Sequence, residues 1–552
     1  MKVAIIGSGP SAAAAAKVLV ESEHEIFMFD FGHELEREAR SIALRLKTPP
    51  IDKKDMMLLR GECKPGYPNG AQSAKQLWTS IRRLCFANIS AMEEKKRQFG
   101  SLFAYKSTED YIKLTKDSQP FYRSLAKGGL SNVWGAACYP LTDEDYADWP
   151  VGKSDMAGHY SAVNEMMHVS ETRDRLKEVY PIHSKEPGEI QLSPQSSSLL
   201  KRWMENEDVL RKNGLSFGQS RLAVIGRNEE SKVCEKCGLC MYGCPHDLIY
   251  NATFTVDYLK AKYKNFHYRP GFFLRKFKES GNKKITLELE DIKKKEILTC
   301  ECDKLFIGTG TLSSLRITAD SLACYRKDVQ ILDNELFLLP LVRMSGRQPF
   351  RNNGGITLSQ LVLSIYNPSI CGHKIHAQLY SYSDFFFDKF LPIVNLLPEI
   401  AKKKIQNVMF NTFIMFGYLH SKDSTKIKAK ILPSNNTSIG TIKVSYRRNS
   451  SNEIIHQMIK TLQKYRKALD LRPIKISLKV TTPGSSNHMA GALPMKYRPG
   501  MLETYPDGRL HGTRNVYVVD QSTFPVLPAQ NPTYTAMANA HRIASLFIQN
   551  QT

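Results

Sequence analysis

Apolar residues occur in two rhythms along this chain, and the ends are the most regular. Lys2 to Ile6 is a short continuous apolar run, the pattern of a buried parallel strand, and Gly7-Ser8-Gly9-Pro10-Ser11-Ala12 follows it at once. Ala12 to Val20 then reads as a helix and Glu25 to Asp30 as the next strand. This βαβ opening has small residues where a backbone must approach a pyrophosphate at a helix N-terminus. Asp30 closes the second strand near the offset at which an acid accepts hydrogen bonds from a ribose. Residues near 285–307 alternate as strands, and Leu305-Phe306-Ile307 runs into a second glycine turn, Gly308-Thr309-Gly310. From about Asp320 to Val480 the chain is β-rich, interrupted by a helix predicted over Ser451 to Leu469. Ser450 and Glu453 give that helix a capping box, and Ile454, Ile455, Met458, Ile459, Leu462 and Leu469 give it an apolar face. The end returns to a strand (VYVVD) and a final helix (TYTAMANAHRIASLFI). The pattern predicts an α/β chain: a Rossmann-like parallel-sheet domain assembled from separate segments, and a second, α+β domain on an antiparallel sheet.

Composition narrows the class. The chain has 552 residues, 42% hydrophobic and 24% charged, which is ordinary globular usage and excludes disordered and fibrous proteins. Lys and Arg total 77 against 54 for Asp and Glu, a formal charge of +23. The lysines are dispersed and no recognition motif accompanies them, so nucleic acid is not expected as a partner. The opening superficially resembles a signal peptide, but it fits the βαβ unit better, which points to a cytoplasmic protein. No run reaches the roughly eighteen apolar residues a spanning helix needs. One segment suits a membrane interface or, as the alternative, a substrate-covering lid: Phe385-Phe386-Phe387, Phe390, Leu391, Ile393, Val394, Leu396, Leu397 and Ile400, then Lys402-Lys403-Lys404. Interface docking would put the protein peripherally at the inner face of the membrane.

Four of the eleven cysteines lie within eleven residues, Cys234, Cys237, Cys240 and Cys244, the last followed by Pro245. This C-x2-C-x2-C-x3-C-P spacing is that of bacterial ferredoxins. An iron–sulfur cluster is the leading reading; zinc and a metal-free buried loop are the others. The stretch Lys127 to Gly135 (KGGLSNVWG) concentrates glycines beside polar and aromatic residues, as a loop pressed against a flat ring or phosphate would, or as a tight surface turn would.

Taken in order, GSGPSAAAAA, GGLSNVWG with DWP at 148–150, FIGTGTLSSLRI at 306–317, HMAGALPM at 488–495 and VVDQSTFPVLPAQNPTYTAMANAHRIASL at 518–546 resemble the glucose–methanol–choline (GMC) family of flavoprotein oxidoreductases. With its cysteine run the chain is similar to the iron–sulfur-containing bacterial sugar dehydrogenases of that family. The likeness thins near 35–110 and 320–480, where such families vary with substrate. It implies FAD in extended form. Gly7, Gly9 and Ala12 would line the pyrophosphate, and Asp30 the ribose. Gly128, Gly129, Ser131, Asn132, Trp134 and Gly135 would lie by the flavin, and Asp520 by the phosphate or ribityl chain. The helix opening at Asn531, Pro532 and Thr533 would face the flavin's pyrimidine edge. His488 falls where the family has its catalytic base, and Asn531 where it has a second His or Asn; without the resemblance they read as a structural histidine and a helix cap.

The resemblance also implies a division of the chain. An FAD-binding unit would comprise 1–160, 221–319 with the cysteines, and 481–552 with His488 and Asn531; a substrate unit would comprise 161–220 and 320–480. The function it implies is a dehydrogenase oxidising a CH–OH group of a sugar, polyol or related alcohol. The four cysteines would hold a 4Fe–4S cluster, or three of them a 3Fe–4S cluster. Electrons would pass through it to an external ferredoxin, cytochrome or quinone. The alternatives are an oxidase using oxygen with a structural cysteine segment, and a non-catalytic flavin-containing redox sensor.

Overall fold

Lys2–Ile6 forms a strand with its last four residues buried, as an apolar run requires in a sheet covered on both faces. It is the middle of a five-stranded parallel sheet ordered Val516–Val518, Lys304–Ile307, Lys2–Ile6, Glu25–Asp30 and Phe266–Pro270. The structure is a computed structural model. It describes residues 1–48, 52–60, 95–116, 118, 121–226, 234–281, 284–346, 355–381, 383, 398–434, 439–447 and 451–551.

Pro10–Leu19 is the first helix, entered from Gly9 with proline at its first position, where a missing N–H costs nothing. Ala12 to Ala16 are fully buried. Alanine favours the helix and keeps its surface close to the axis, so the final helix, Thr533–Gln549, packs directly on it. Three antiparallel strands, Phe272–Glu279, Ile285–Asp291 and Glu296–Cys302, lie between two strands of the parallel sheet in sequence. The alternation read near 285–307 resolves into the last two of these and Lys304–Ile307.

The antiparallel sheet expected in the second half is seven-stranded. Leu471–Pro473, Leu336–Arg343, Thr412–Tyr418, Ile375–Tyr380, Leu361–Ile365 and Leu215–Gln219 follow in that order, and Lys479–Val480 also pairs with Leu336–Arg343. Its strands send alternate residues to opposite faces. Phe337, Leu339 and Leu341 meet Trp203 and the helix Ser451–Lys464 on one face. Leu336, Leu338, Tyr380, Phe416 and Tyr418 form the other, which turns toward the site described below.

The helix predicted over Ser451–Leu469 is two: Ser451–Lys464 and a short Arg466–Leu469. The break is at Tyr465, whose φ of −97° and ψ of 15° leave the α region and whose hydroxyl donates to Asn213 at 2.5 Å. Ile455, Met458, Ile459, Leu462 and Leu469 are buried as expected; Ser450 of the capping box lies outside the described residues. So do Phe385 to Leu397 of the interfacial segment. Its continuation is the helix Glu399–Phe410, which starts directly after Pro398 and leaves Ile400 75% exposed. Among the described residues no helix is long and apolar enough to cross a membrane.

Candidate active site

The opening turn is built for close approach. Gly7 has φ of +92°, and a Cβ there would lie 2.7 Å from the Gly308 carbonyl oxygen of the second turn. A Cβ on Gly308 would in turn lie 2.8 Å from that of Ala12. The two glycine turns and the first helix therefore interlock, with Ala12 behind them and fully buried. Gly9 differs: nothing lies within 4 Å of the position its Cβ would take, and it borders a long cavity. Asp30, at the end of its strand, is buried and accepts from the Ser8 hydroxyl at 2.5 Å and the Tyr268 hydroxyl at 2.9 Å. Burial pushes its carboxyl up to about 6 against these hydrogen bonds.

Ser8 also joins the KGGLSNVWG loop to the turn, since its hydroxyl accepts the Gly128 N–H at 3.0 Å. Within the loop the polar side chains brace the backbone. Ser131 donates to the Gly128 carbonyl at 2.5 Å and accepts the Ala252 N–H at 3.0 Å. Asn132 donates to the Lys127 and Gly129 carbonyls and accepts from Asn251 at 2.7 Å. Trp134 donates to the Tyr250 carbonyl at 2.9 Å. Gly129, Ser131, Trp134 and Gly135 border the cavity, while Gly128 and Asn132 stand behind it.

Asp520 ties the second turn. Its carboxylate accepts the Gly310 N–H at 2.8 Å, the Ser314 hydroxyl at 2.5 Å and the Ser522 N–H at 2.9 Å. The cavity runs from Phe29–Phe31 past both turns and Asp520 to His488 and Asn531–Thr533. Pro532 is already helical, with φ of −79° and ψ of −20°, and its carbonyl accepts the Ala536 N–H at 2.8 Å.

At this far end His488 Nε2 lies 3.1 Å from the Asn531 amide nitrogen and Nδ1 lies 3.2 Å from Asn334 Oδ1. Tyr418 stacks on the imidazole, ring centroids 4.9 Å apart. The ring is half-buried, reaching the cavity with protein packed on its other sides. That packing, with Lys96 adding a smaller repulsion, pushes its pKa down to about 3, so the imidazole is neutral at ordinary pH. Asn531 is not spent as a helix cap; its Oδ1 accepts from Gln378. Asn334, Gln378 and Asp333 were not foreseen. Asp333 holds the loop before the histidine, accepting the Gly484 N–H at 2.7 Å and the Ser486 hydroxyl at 2.5 Å. The signal for it is a polar triplet, Asp333-Asn334-Glu335, inside an otherwise apolar run.

The four clustered cysteines are free thiols on a tight loop, with Lys236, Gly238 and Gly243 all at positive φ. They sense one another: burial first, then Cys234, Cys237 and Cys244, push Cys240 up to about 12. The Leu248 N–H donates to Cys244 Sγ at 3.4 Å. Among the described residues, the trio with ligand atoms within 4.8 Å of one another is His373, His420 and Asp423, not these sulfurs. One zinc ion with bonds of about 2.3 Å would draw its thiolates closer than that, whereas a cluster binds its thiolates through several irons. The His373 trio is itself hydrogen-bonded: Asp423 pairs with His373 Nδ1 at 2.8 Å, the Lys422 N–H donates to His420 Nδ1 at 3.1 Å, and the two rings stack 4.0 Å apart. A groove lined in part by Cys240 and Cys244 shares Met241, Val133 and Trp134 with the long cavity.

Comparison with known proteins bears on this geometry. Residues 435–540, which include His488 and Asn531, match the GMC oxidoreductase family model. The chain is similar to pyridoxine 4-oxidase from Mesorbium loti, at 12% identity and a TM-score of 0.58, covering 99% of both chains. It is also similar to an FAD-dependent oxidoreductase from Chaetomium thermophilum, at 12% identity and a TM-score of 0.56, covering 100% of this chain and 99% of that one. At these identities the likeness is one of fold. A search of curated proteins gives no match. The C-terminal family match supports an oxidoreductase enzyme, and the two solved structures share its mixed α/β fold.

Proposed function

We propose that the chain is an FAD-dependent dehydrogenase that oxidises a CH–OH group of a sugar, polyol or related alcohol, with His488 as base. The observation that carries this is a neutral imidazole paired with the Asn531 amide at the end of a cavity that begins at Asp30 and two glycine turns. FAD fits the residues present, because the open space over Gly9 and Gly310 is a cradle that a Cβ would fill. Gly7, Gly9 and the N-terminus of the first helix would hold its pyrophosphate, aided by the helix dipole. Asp30 would take the ribose. Gly129, Trp134 and Gly135 would border the ring, with Asp520 and the Asn531–Thr533 helix start beyond. Bound FAD supplies the acceptor for a hydride from the alcohol carbon. His488 Nε2 takes the hydroxyl proton as the C–O bond becomes a carbonyl, and Asn531 donates a hydrogen bond to the same oxygen. Tyr380, Phe416 and Tyr418 give this end of the cavity an aromatic wall.

The domain division stated above is supported by the seven-stranded sheet, which draws strands from both 161–220 and 320–480. Cys234, Cys237, Cys240 and Cys244 would hold an iron–sulfur cluster that supplies one-electron transfer to an external carrier. Its support is the ferredoxin spacing, the four free thiols and the side chains shared between the groove at this loop and the long cavity. Free thiols at all nine described cysteines also suit a reducing compartment.

The test is a visible spectrum of the protein purified under argon, before and after D-glucose, D-sorbitol or benzyl alcohol, with iron and acid-labile sulfide counted. Flavin absorbance that bleaches with an alcohol, iron in stoichiometric amount and slow reoxidation by air support the reading. A flavin without iron that makes peroxide would make the enzyme an oxidase; a colourless protein that stays colourless with added FAD would end the proposal.

A further inference from the structure

The side chains at the end of the cavity form one hydrogen-bonded chain, and its direction is fixed at one end. Asn334 is fully buried. Its amide nitrogen lies 3.0 Å from the Leu419 carbonyl and 2.7 Å from the Pro528 carbonyl. Two main-chain carbonyls accept only, so both N–H groups of Asn334 are committed and its orientation has no alternative. The oxygen is what remains to face His488 Nδ1 at 3.2 Å. An oxygen that only accepts requires a proton on Nδ1. A neutral imidazole carries one proton, so Nε2 holds a lone pair and takes the Asn531 N–H at 3.1 Å.

The rest follows in the same direction. Asn531, donating with nitrogen, presents its oxygen to Gln378. Gln378 offers its second N–H to His376 Nε2 at 3.2 Å, while its oxygen accepts from the Tyr380 hydroxyl at 3.2 Å. His376 is then also protonated on Nδ1, 2.9 Å from the Tyr180 hydroxyl. Each hydrogen bond named here pairs a donor with an acceptor in this direction. Reversal would set an Asn334 N–H against a carbonyl-starved nitrogen and leave two main-chain carbonyls facing an oxygen, the costly outcome for buried polar groups.

We propose that Asn334 is the positioning residue of the site: it fixes the Nδ1–H tautomer of His488 and so keeps Nε2 unprotonated, its lone pair held by the Asn531 N–H until a substrate hydroxyl takes that place. Asn334 touches neither substrate nor cavity and acts through the imidazole. Its two carbonyl partners come from segments far apart in sequence, Leu419 after the strand Thr412–Tyr418 and Pro528 in the approach to the last helix. The tautomer therefore depends on the correct seating of these elements against each other. The inference rests on the role given to His488 above.

Full-length, FAD-loaded protein labelled with 15N-histidine reports the tautomer directly, with His488→Ala identifying the resonances. The expected spectrum has His488 protonated on Nδ1 and bare on Nε2. In Asn334→Ala the two nitrogens should shift toward each other as the tautomers mix. His488 bare on Nδ1, or an unchanged pattern in Asn334→Ala, overturns the inference. If Asn334→Ala fails to bind FAD, the tautomer found in the parent protein still decides it. Failure of the proposed activity looks different: His488→Ala would reduce flavin normally with the tautomer as stated.

Discussion

At the scale of single residues, the two glycines of the opening turn make opposite predictions. Gly7→Ala puts a methyl group 2.7 Å from a backbone oxygen at φ of +92°, a backbone cost of about 1–2 kcal/mol before any clash. We expect its thermal midpoint to fall with or without FAD. Gly9→Ala adds a methyl group to open space from an extended backbone. The unfolding midpoint without FAD should hold while FAD affinity drops, measured by flavin fluorescence titration; unchanged affinity would mean that FAD does not lie over Gly9. The imidazole makes a third prediction. With its pKa pushed down to about 3, His488 stays unprotonated through the acid range, so flavin reduction by alcohol should hold its rate from pH 8 to pH 5. A rate halved near the ordinary histidine value of about 6.5 would contradict the buried environment. His488 and Asn531 were legible because local motifs flank them. Asn334 and Gln378 were not, since they reach the site from 154 and 153 positions away through sheet pairing that no local period encodes.

Elements with a local signal were read best. The opening strand, turn and helix, the second glycine turn and the final helix all carry their own turn chemistry or periodicity. The order of the seven-stranded sheet does not, because long-range pairing decides which strands neighbour each other; Leu215–Gln219 joins it beside Leu361–Ile365 from far upstream. The single helix expected over Ser451–Leu469 broke at Tyr465, where a tertiary hydrogen bond competes with the helical path. Asp520 shows how one side chain sets an element. It satisfies the Gly310 and Ser522 amides and the Ser314 hydroxyl, at the start of the helix Thr311–Ser321. Asp520→Ala leaves these donors buried and unmatched, at about 1–3 kcal/mol each where water cannot enter. A lowered thermal midpoint and loss of FAD on gel filtration are expected, with Asp520→Asn recovering part of both; an unchanged midpoint would remove Asp520 from this role.

Across the whole molecule, partly and fully buried histidines set the response to acid. His376, His420 and His488 are pushed down to about 3, and His159 and His183 to about 4, burial being the first cause in each. The folded state keeps them neutral while the unfolded chain takes up protons below about 6.5, so their contribution is present above that pH and lost as pH falls. Asp30 and Asp333, raised to about 6, act the other way: their contribution is lost as pH rises through 6 and offsets part of the histidine effect on acidification. The thermal midpoint should therefore fall between pH 7 and pH 5.5, and a midpoint that rises over this range would show that these histidines are solvated. The net charge of +23 was visible in the sequence but selected no partner, because charge alone does not say what it meets.

The central claim is that His488 takes the proton as the alcohol gives up its hydride. It is tested most directly by following flavin absorbance in a stopped flow under argon, with His488→Ala beside the unaltered protein and an alcohol that bleaches the latter. We expect the variant to retain its FAD and to reduce it about a hundred- to ten-thousand-fold more slowly. Retained FAD reduced at the original rate would contradict it.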